Sequence, residues 1–166
     1  MGKNKNHRKD SRHMQNIKIE RGNKEDLKAI VELNHRIFKP IYLWEPYSRE
    51  QYETRLSDVE AHILLAKDED RLIGDAIAFE REGEFYCWIM AVHQRYRRQG
   101  VGKEFITKID EEAKSRGMPV SAKVYSSSPE MSKLLFMREY GLMGIEPAEG
   151  ALSVMHFRKD THRVFR

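Results

Sequence analysis

Arg97, Gly100 and Gly102 stand in the spacing Arg-x-x-Gly-x-Gly, with Arg98 beside the first and Lys103 directly after the last. These residue types suit one chemistry. The N–H groups that open a helix lack intrahelical acceptors and sit at the positive end of its dipole. Glycines remove the Cβ atoms that would hold a ligand off those amides. Arginines add planar donors matched to phosphate oxygens. The stretch 97–103 therefore reads as an anion cradle of pyrophosphate size; a glycine-rich turn with solvated arginines has the same spelling.

A cradle of this kind needs a strand before it and a helix after it. Phe85 to Val92 supplies the strand, an uninterrupted run of apolar and aromatic residues. From Gly102 the period changes. Phe105, Ile106, Ile109 and Ala113 recur at helical spacing, opposite Lys103, Glu104, Lys108, Glu111 and Glu112, and Gly117 stands where a C-cap belongs. Two familiar phosphate loops do not fit. Lys103-Glu104 lacks the further glycine of a dinucleotide fingerprint, and Gly102-Lys103-Glu104 lacks the Ser/Thr of a Walker A loop. The strand end Met90-Ala91-Val92 followed by Arg97-x-x-Gly100-x-Gly102 resembles the coenzyme A pyrophosphate loop of the GNAT superfamily, the acyl-CoA-dependent N-acetyltransferases.

The rest of the chain agrees with that frame. Ile17 to Glu20 alternates as a short strand, and Asn23 precedes a helix whose apolar face is Leu27, Ile30, Val31, Asn34, Ile37 and Phe38. Pro40 and Pro46 break the chain into a loop rich in aromatic residues, after which Ser48 caps a second helix over Arg49–Asp58. His62–Ala66, Arg71–Glu80 and the central strand read as an antiparallel meander, with Gly74 marking a bulge or close packing. Val120–Tyr125 is a fifth strand, and Ser128-Pro129-Glu130 opens a helix that Gly141 ends. Leu152–Phe157 is the last strand. The order β-α-α-β-β-β-α-β-α-β, with the phosphate loop after the fourth strand, resembles the GNAT fold over residues 17–158. That is an α/β (α+β) architecture with a mixed central sheet of about six or seven strands and about four helices. Residues 17–166 are expected to form one domain behind a basic, flexible tail at 1–16.

What the resemblance implies is an N-acetyltransferase that takes acetyl-CoA as cosubstrate and delivers the acetyl group to a primary amine by direct attack. Backbone groups of Met90, Ala91 and Val92 would meet the pantetheine arm. Arg97, Arg98, Gln99, Gly100, Val101, Gly102 and Lys103 would hold the pyrophosphate. The loop with Tyr42, Trp44, Glu45 and Tyr47 would line the acceptor site, where aromatic faces and a carboxylate suit an ammonium group. The chain departs from the family pattern in three places. Met137 occupies the position of the usual general-acid Tyr, Glu130 that of a frequent Asn, and Trp88-Ile89 that of a common acid on the central strand. Tyr125 is then the stand-in acid, and Glu84 and Glu80 are the general-base candidates, acting through water; both also read as solvated strand-end carboxylates. Small amines, lysine side chains and protein N-termini all stay open as acceptors. Glu45, Glu84, Glu146 and Glu149 favour a cationic one. The family also leaves a homodimer open. A catalytically weak acyl-CoA sensor is the alternative that Met137 suggests.

Composition bounds the remaining classes. The chain has 166 residues, 34% charged and 40% hydrophobic, and no apolar run of membrane-spanning length. The N-terminus carries no apolar signal core, and the lone Cys87 excludes an intrachain disulfide, so cytoplasm is the expected compartment. Cys87 reads as packing rather than as a nucleophile. The seven histidines show no metal-ligand spacing, so no metal is expected. Residues 1–18 hold six Lys or Arg against one Asp, so the formal +4 of the chain resides in the tail. A nucleic-acid contact is conceivable through that tail alone.

Overall fold

The change of period at the Gly100–Gly102 pair marks where a mixed sheet hands over to a helix. A computed structural model describes residues 16–41 and 45–161. Its elements run β1 (Ile17–Arg21), α1 (Leu27–Phe38), α2 (Arg49–Leu56), β2 (His62–Asp68), β3 (Arg71–Arg81), β4 (Glu84–Val92), α3 (Val101–Ser115), β5 (Val120–Tyr125), α4 (Pro129–Met137), β6 (Gly141–Pro147) and β7 (Ser153–Lys159). The seven strands form one sheet in the order β1-β2-β3-β4-β5-β7-β6. β4 and β5 run parallel, and every other neighbouring pair is antiparallel.

Local chemistry accounts for several of the helix starts. Asn23 and Asp26 close a capping box that opens a short 3-10 turn ahead of α1, and Ser48 and Gln51 close another at α2. Ser128 behaves differently. Its backbone sits at φ −118°, ψ 64°, its side chain makes no capping bond, and Pro129 at the first helical position starts α4 instead. β6 is the strand that alternation does not predict. All seven of its residues are exposed and they include Gly141, Gly144 and Pro147, so no buried face writes a period-two pattern.

Two apolar layers sandwich the sheet. On one face α3 lays Phe105, Ile106 and Ile109, all fully buried, against Phe85, Cys87 and Ala122. On the other, Leu27 and Ile30 of α1 and Tyr52 and Leu56 of α2 meet Ile63, Leu65 and Ile77. Each such side chain contributes about 1.5–3 kcal/mol relative to exposure. Gly74 lets β3 lie close to β4 and to α3, because a Cβ there would stand 2.9 Å from the Ala91 carbonyl oxygen and 3.4 Å from Phe105 Cε2.

A bulge in β4 sets the faces of the site. The ladder pairs Ala78 with Cys87 but Ile77 with Ile89, leaving Trp88 as an extra residue. Alternation therefore resets. Tyr86, Trp88, Ile89 and Ala91 face α1 and α2, while Phe85, Cys87, Met90 and Val92 face α3. Unbroken alternation from Phe85 would point Ile89 at α3.

Candidate active site

β4 and β5 part company just beyond the bulge. Their parallel ladder holds only Phe85 to Val120, Tyr86 to Ser121 and Cys87 to Ala122. β5 meanwhile stays paired with β7 along its whole length, from Val120 to Tyr125. The result is a cleft of about 360 Å³, with Trp88, Ile89 and Met90 on one wall and Lys123, Val124 and Tyr125 on the other. Past Cys87 the β4 edge has no ladder partner on β5, so its backbone is available to a ligand.

The strand leads into the glycine loop. His93 Nδ1 accepts the Arg95 N–H at 3.2 Å and caps a short 3-10 turn at 94–96, and the Tyr96 hydroxyl donates to Asp68 at 2.6 Å. Arg97 Nε donates to the Val92 carbonyl at 3.2 Å, tying the loop back to the end of β4. Arg98 is fully extended into solvent and ion-pairs with Glu130 of α4 at 3.7 Å. Arg98 (φ +62°) and Gly100 (φ +85°) both take the left-handed conformation, which a non-glycine residue adopts at a cost of ~1 kcal/mol. No side chain caps α3, whose first amides stay open at the positive end of the helix. Nothing lies within 4 Å of the place a Gly100 Cβ would occupy. Gly102 has a different use, since a Cβ there would come within 3.2 Å of Leu134 Cδ2 as α4 closes on α3. An uncapped helix start, open at Gly100 and flanked by Arg97, Arg98 and Lys103, fits a pyrophosphate.

Aromatic rings build the wall of the cleft on the α1–α2 side. Trp88 lies 5.0 Å from Tyr52 and 5.6 Å from Tyr47, centroid to centroid. Tyr125, whose side chain shares that face of the sheet, lines the cleft, and burial raises its hydroxyl pKa, with Tyr47 and Glu149 adding to the shift. Tyr47 and Tyr125 both line the cleft. Glu45 does not line it and pairs with Lys39 at 3.7 Å. Tyr42 and Trp44 lie outside the described residues. Glu84 is engaged by Arg158 at 3.2 Å, Glu80 is exposed, and neither lines the cleft. Among the described residues the carboxylate that does line it is Glu146 of β6, 3.0 Å from His156 Nε2.

Several other positions resolve as structure. Met137 is 71% exposed at the end of α4. The Tyr140 hydroxyl is buried and donates to Asp110 at 2.6 Å, and burial raises its pKa. Burial pushes the Cys87 thiol up to about 12, so it stays protonated and is no nucleophile. Arg55, Arg81 and Lys123 also enter the cleft, and no motif singles them out. Their signal is only the spacing to a neighbour on the same face: Arg55 three residues after Tyr52, Arg81 two after Phe79, Lys123 two before Tyr125. Among the described residues no group of three or more His, Cys, Asp or Glu could hold a metal ion, and no helix is long and apolar enough to cross a membrane.

Known proteins share this architecture. The model of the acetyltransferase (GNAT) family matches residues 27–135. Among solved structures, the ribosomal-protein-S18-alanine N-acetyltransferase of Escherichia coli superposes with a TM-score of 0.73 at 18% identity, covering 86% of this chain and 92% of that one. An N-acetyltransferase of Staphylococcus aureus Mu50 gives 0.73 at 19% identity, over 88% and 99% of the two chains. The yncA protein of Salmonella typhimurium, solved with its cofactor acetyl-CoA, gives 0.71 at 17% identity, over 89% and 95%. No curated protein matches by sequence. The chain belongs to the acetyltransferase (GNAT) family. It is thus an acyl-CoA-dependent N-acetyltransferase with acetyl-CoA as its cosubstrate.

Proposed function

We propose that the protein moves the acetyl group of acetyl-CoA to a primary amine by direct attack. The observation that carries this reading is the parting of β4 and β5 beyond Cys87, which opens an unpaired strand edge between the Gly100 loop and an aromatic-walled cleft. In this reading the amides from Gln99 to Lys103, with Arg97 and Arg98, hold the pyrophosphate. The edge formed by Met90, Ala91 and Val92 meets the amides of the pantetheine arm.

The chemistry asks three things of the chain. The amine nitrogen bonds the thioester carbon while the C–S bond breaks, and a backbone N–H of the free β4 edge stabilises the charge that develops on the carbonyl oxygen. An alkylamine with an ordinary pKa of about 10.4 arrives protonated, so a proton must leave it. In this reading Glu146, which lines the cleft beside His156, takes that proton, and Glu80 and Glu84, which do not line it, would act only through water. The departing thiolate in this reading takes its proton from Tyr125, which lines the cleft and whose phenol is protonated at neutral pH already at an ordinary pKa of about 10.

The test is thiol release from acetyl-CoA in the presence of a panel of primary amines, with the acetylated product identified by mass spectrometry. The reading predicts release that depends on the amine. Binding of acetyl-CoA with no amine-dependent release would contradict it and leave an acyl-CoA sensor.

A further inference from the structure

The charge of the cleft is opposite to what a cationic acceptor needs. Arg55, Arg81 and Lys123 line it, against the single carboxylate of Glu146 among the described residues, which lies 3.0 Å from His156 Nε2. None of the three cations has an ion-pair partner within 4 Å among the described residues. The acidic residues expected to draw a cation are engaged or placed elsewhere: Glu45 pairs with Lys39, Glu84 pairs with Arg158, and Glu149 does not line the cleft.

These cations are also in the wrong place to serve the phosphates of coenzyme A. Arg81 pairs across the β3–β4 turn with Glu84, at the far end of β4 from the Gly100 loop. Nine residues of strand at 3.3 Å each put roughly 25–30 Å between the two ends. The guanidinium of Arg81 instead lies 3.6 Å from the centroid of the Tyr86 ring, and that of Arg55 lies 5.5 Å from the centroid of Trp88. Tyr86 and Trp88 both face α1 and α2. Lys123 shares that face, because Val120, Ala122 and Val124 of β5 point to α3. Stacking on a ring, with a hydrogen bond from Arg81 to the Tyr86 hydroxyl, orients these guanidinium groups but sets no anion against their planar forks of donors among the described residues. A carboxylate satisfies that fork with two parallel hydrogen bonds.

We infer that the acceptor carries a carboxylate as well as its amine, in the manner of an amino acid: the amine lies toward Glu146 and the thioester, and the carboxylate is held by Arg55 and Arg81 against the Tyr86 and Trp88 rings. The inference rests on the acetyl-transfer reading above and narrows its substrate class. A free amino acid and a peptide whose N-terminal residues are acidic present the same chemistry, and the assay separates them.

The assay measures kcat/KM by thiol release for amino acids, their carboxamides and the corresponding decarboxylated amines, and for short peptides with acidic, neutral or basic N-terminal residues. The carboxylate-bearing acceptors are expected to exceed their amides and decarboxylated counterparts at least tenfold. Arg55→Met and Arg81→Met should each erase most of that preference while acetyl-CoA affinity, measured by calorimetry, stays unchanged. Amides or simple amines used as well as the acids would overturn the inference, as would variants that slow acids and amides alike. Turnover of simple amines with no acid preference sinks the carboxylate alone. Binding of acetyl-CoA with no turnover of any amine sinks the transfer reading, and the inference falls with it.

Discussion

Asn34 and Asp75 share one hydrogen bond in the core and leave one buried oxygen over on each side. Asn34 Nδ2 donates to Asp75 Oδ2 at 3.2 Å, while Oδ1 of each residue has no partner among the described residues. The same Asn34 amide donates to the Tyr52 hydroxyl at 2.9 Å, and Tyr52 forms part of the cleft wall. A proton on Asp75 resolves the mismatch. It turns one of the two orphan acceptors into a donor. Asp75 is fully buried, and that burial pushes its carboxyl up to about 8, with the Asn34 hydrogen bond pulling the other way.

Stability should therefore depend on Asp75 over a defined pH window. A carboxyl whose folded pKa is raised contributes stability that is complete below its unfolded pKa, near 4, and is lost as pH rises through about 8. Asp75→Asn removes that slope. Urea unfolding at pH 5 and at pH 8 should show the variant gaining on the wild type by roughly 2–4 kcal/mol between the two. Parallel pH profiles would mean that Asp75 is ionised in the folded protein.

Tyr140 makes the opposite case, a buried hydroxyl with a structural task. Its bond to Asp110 joins the turn between α4 and β6 to α3, and Lys159 holds the second oxygen of the same carboxylate at 2.8 Å. Tyr140→Phe should cost about 1–2 kcal/mol in chemical denaturation. Its kcat for acetyl transfer should stay within about twofold of wild type. A large fall in kcat at unchanged stability would move Tyr140 into the chemistry.

Tyr125 should show the reverse pattern. It lines the cleft at the end of β5, and Met137 brings no donor to the helix beside it. Tyr125→Phe should lower kcat by about 10- to 100-fold, with the acetyl-CoA dissociation constant little changed. A coenzyme A thiol leaves readily, which keeps the expected loss at the low end for a general acid. A variant with unaltered kcat would show that the thiolate takes its proton from solvent.

How much of this was legible in the residues depends on which signal wrote it. The strand–loop–helix unit from Phe85 to Gly117 was plain, because two periods meet at a glycine pair and both faces of the helix are marked. Asn23 and Ser48 announced their helices through side chains that cap locally. β6 was hidden, since an edge strand exposed at every position carries no alternation. The bulge at Trp88 was hidden for a related reason. A strand buried on both faces reads as one apolar run, and an inserted residue leaves no mark in it. That bulge decides which side chains of β4 meet α1 and α2. The cationic lining from Arg55, Arg81 and Lys123 was equally hidden, because it assembles from three elements that are distant in sequence. Acidic residues counted along the chain suggested a cationic acceptor; placed in space, most of them are paired with other residues or turned away from the cleft.

The central claim is that the Gly100 loop receives acetyl-CoA, and calorimetric titration of wild type and Gly100→Glu tests it most directly. Glutamate there would have to adopt a φ of +85° and would set a carboxylate where open space now lies above the first amides of α3. The account predicts saturable binding to the wild type and a loss of at least 100-fold in affinity in the variant, with the far-ultraviolet circular dichroism spectrum retained. Failure of the wild type to bind at millimolar acetyl-CoA, or equal binding by both proteins, would contradict it.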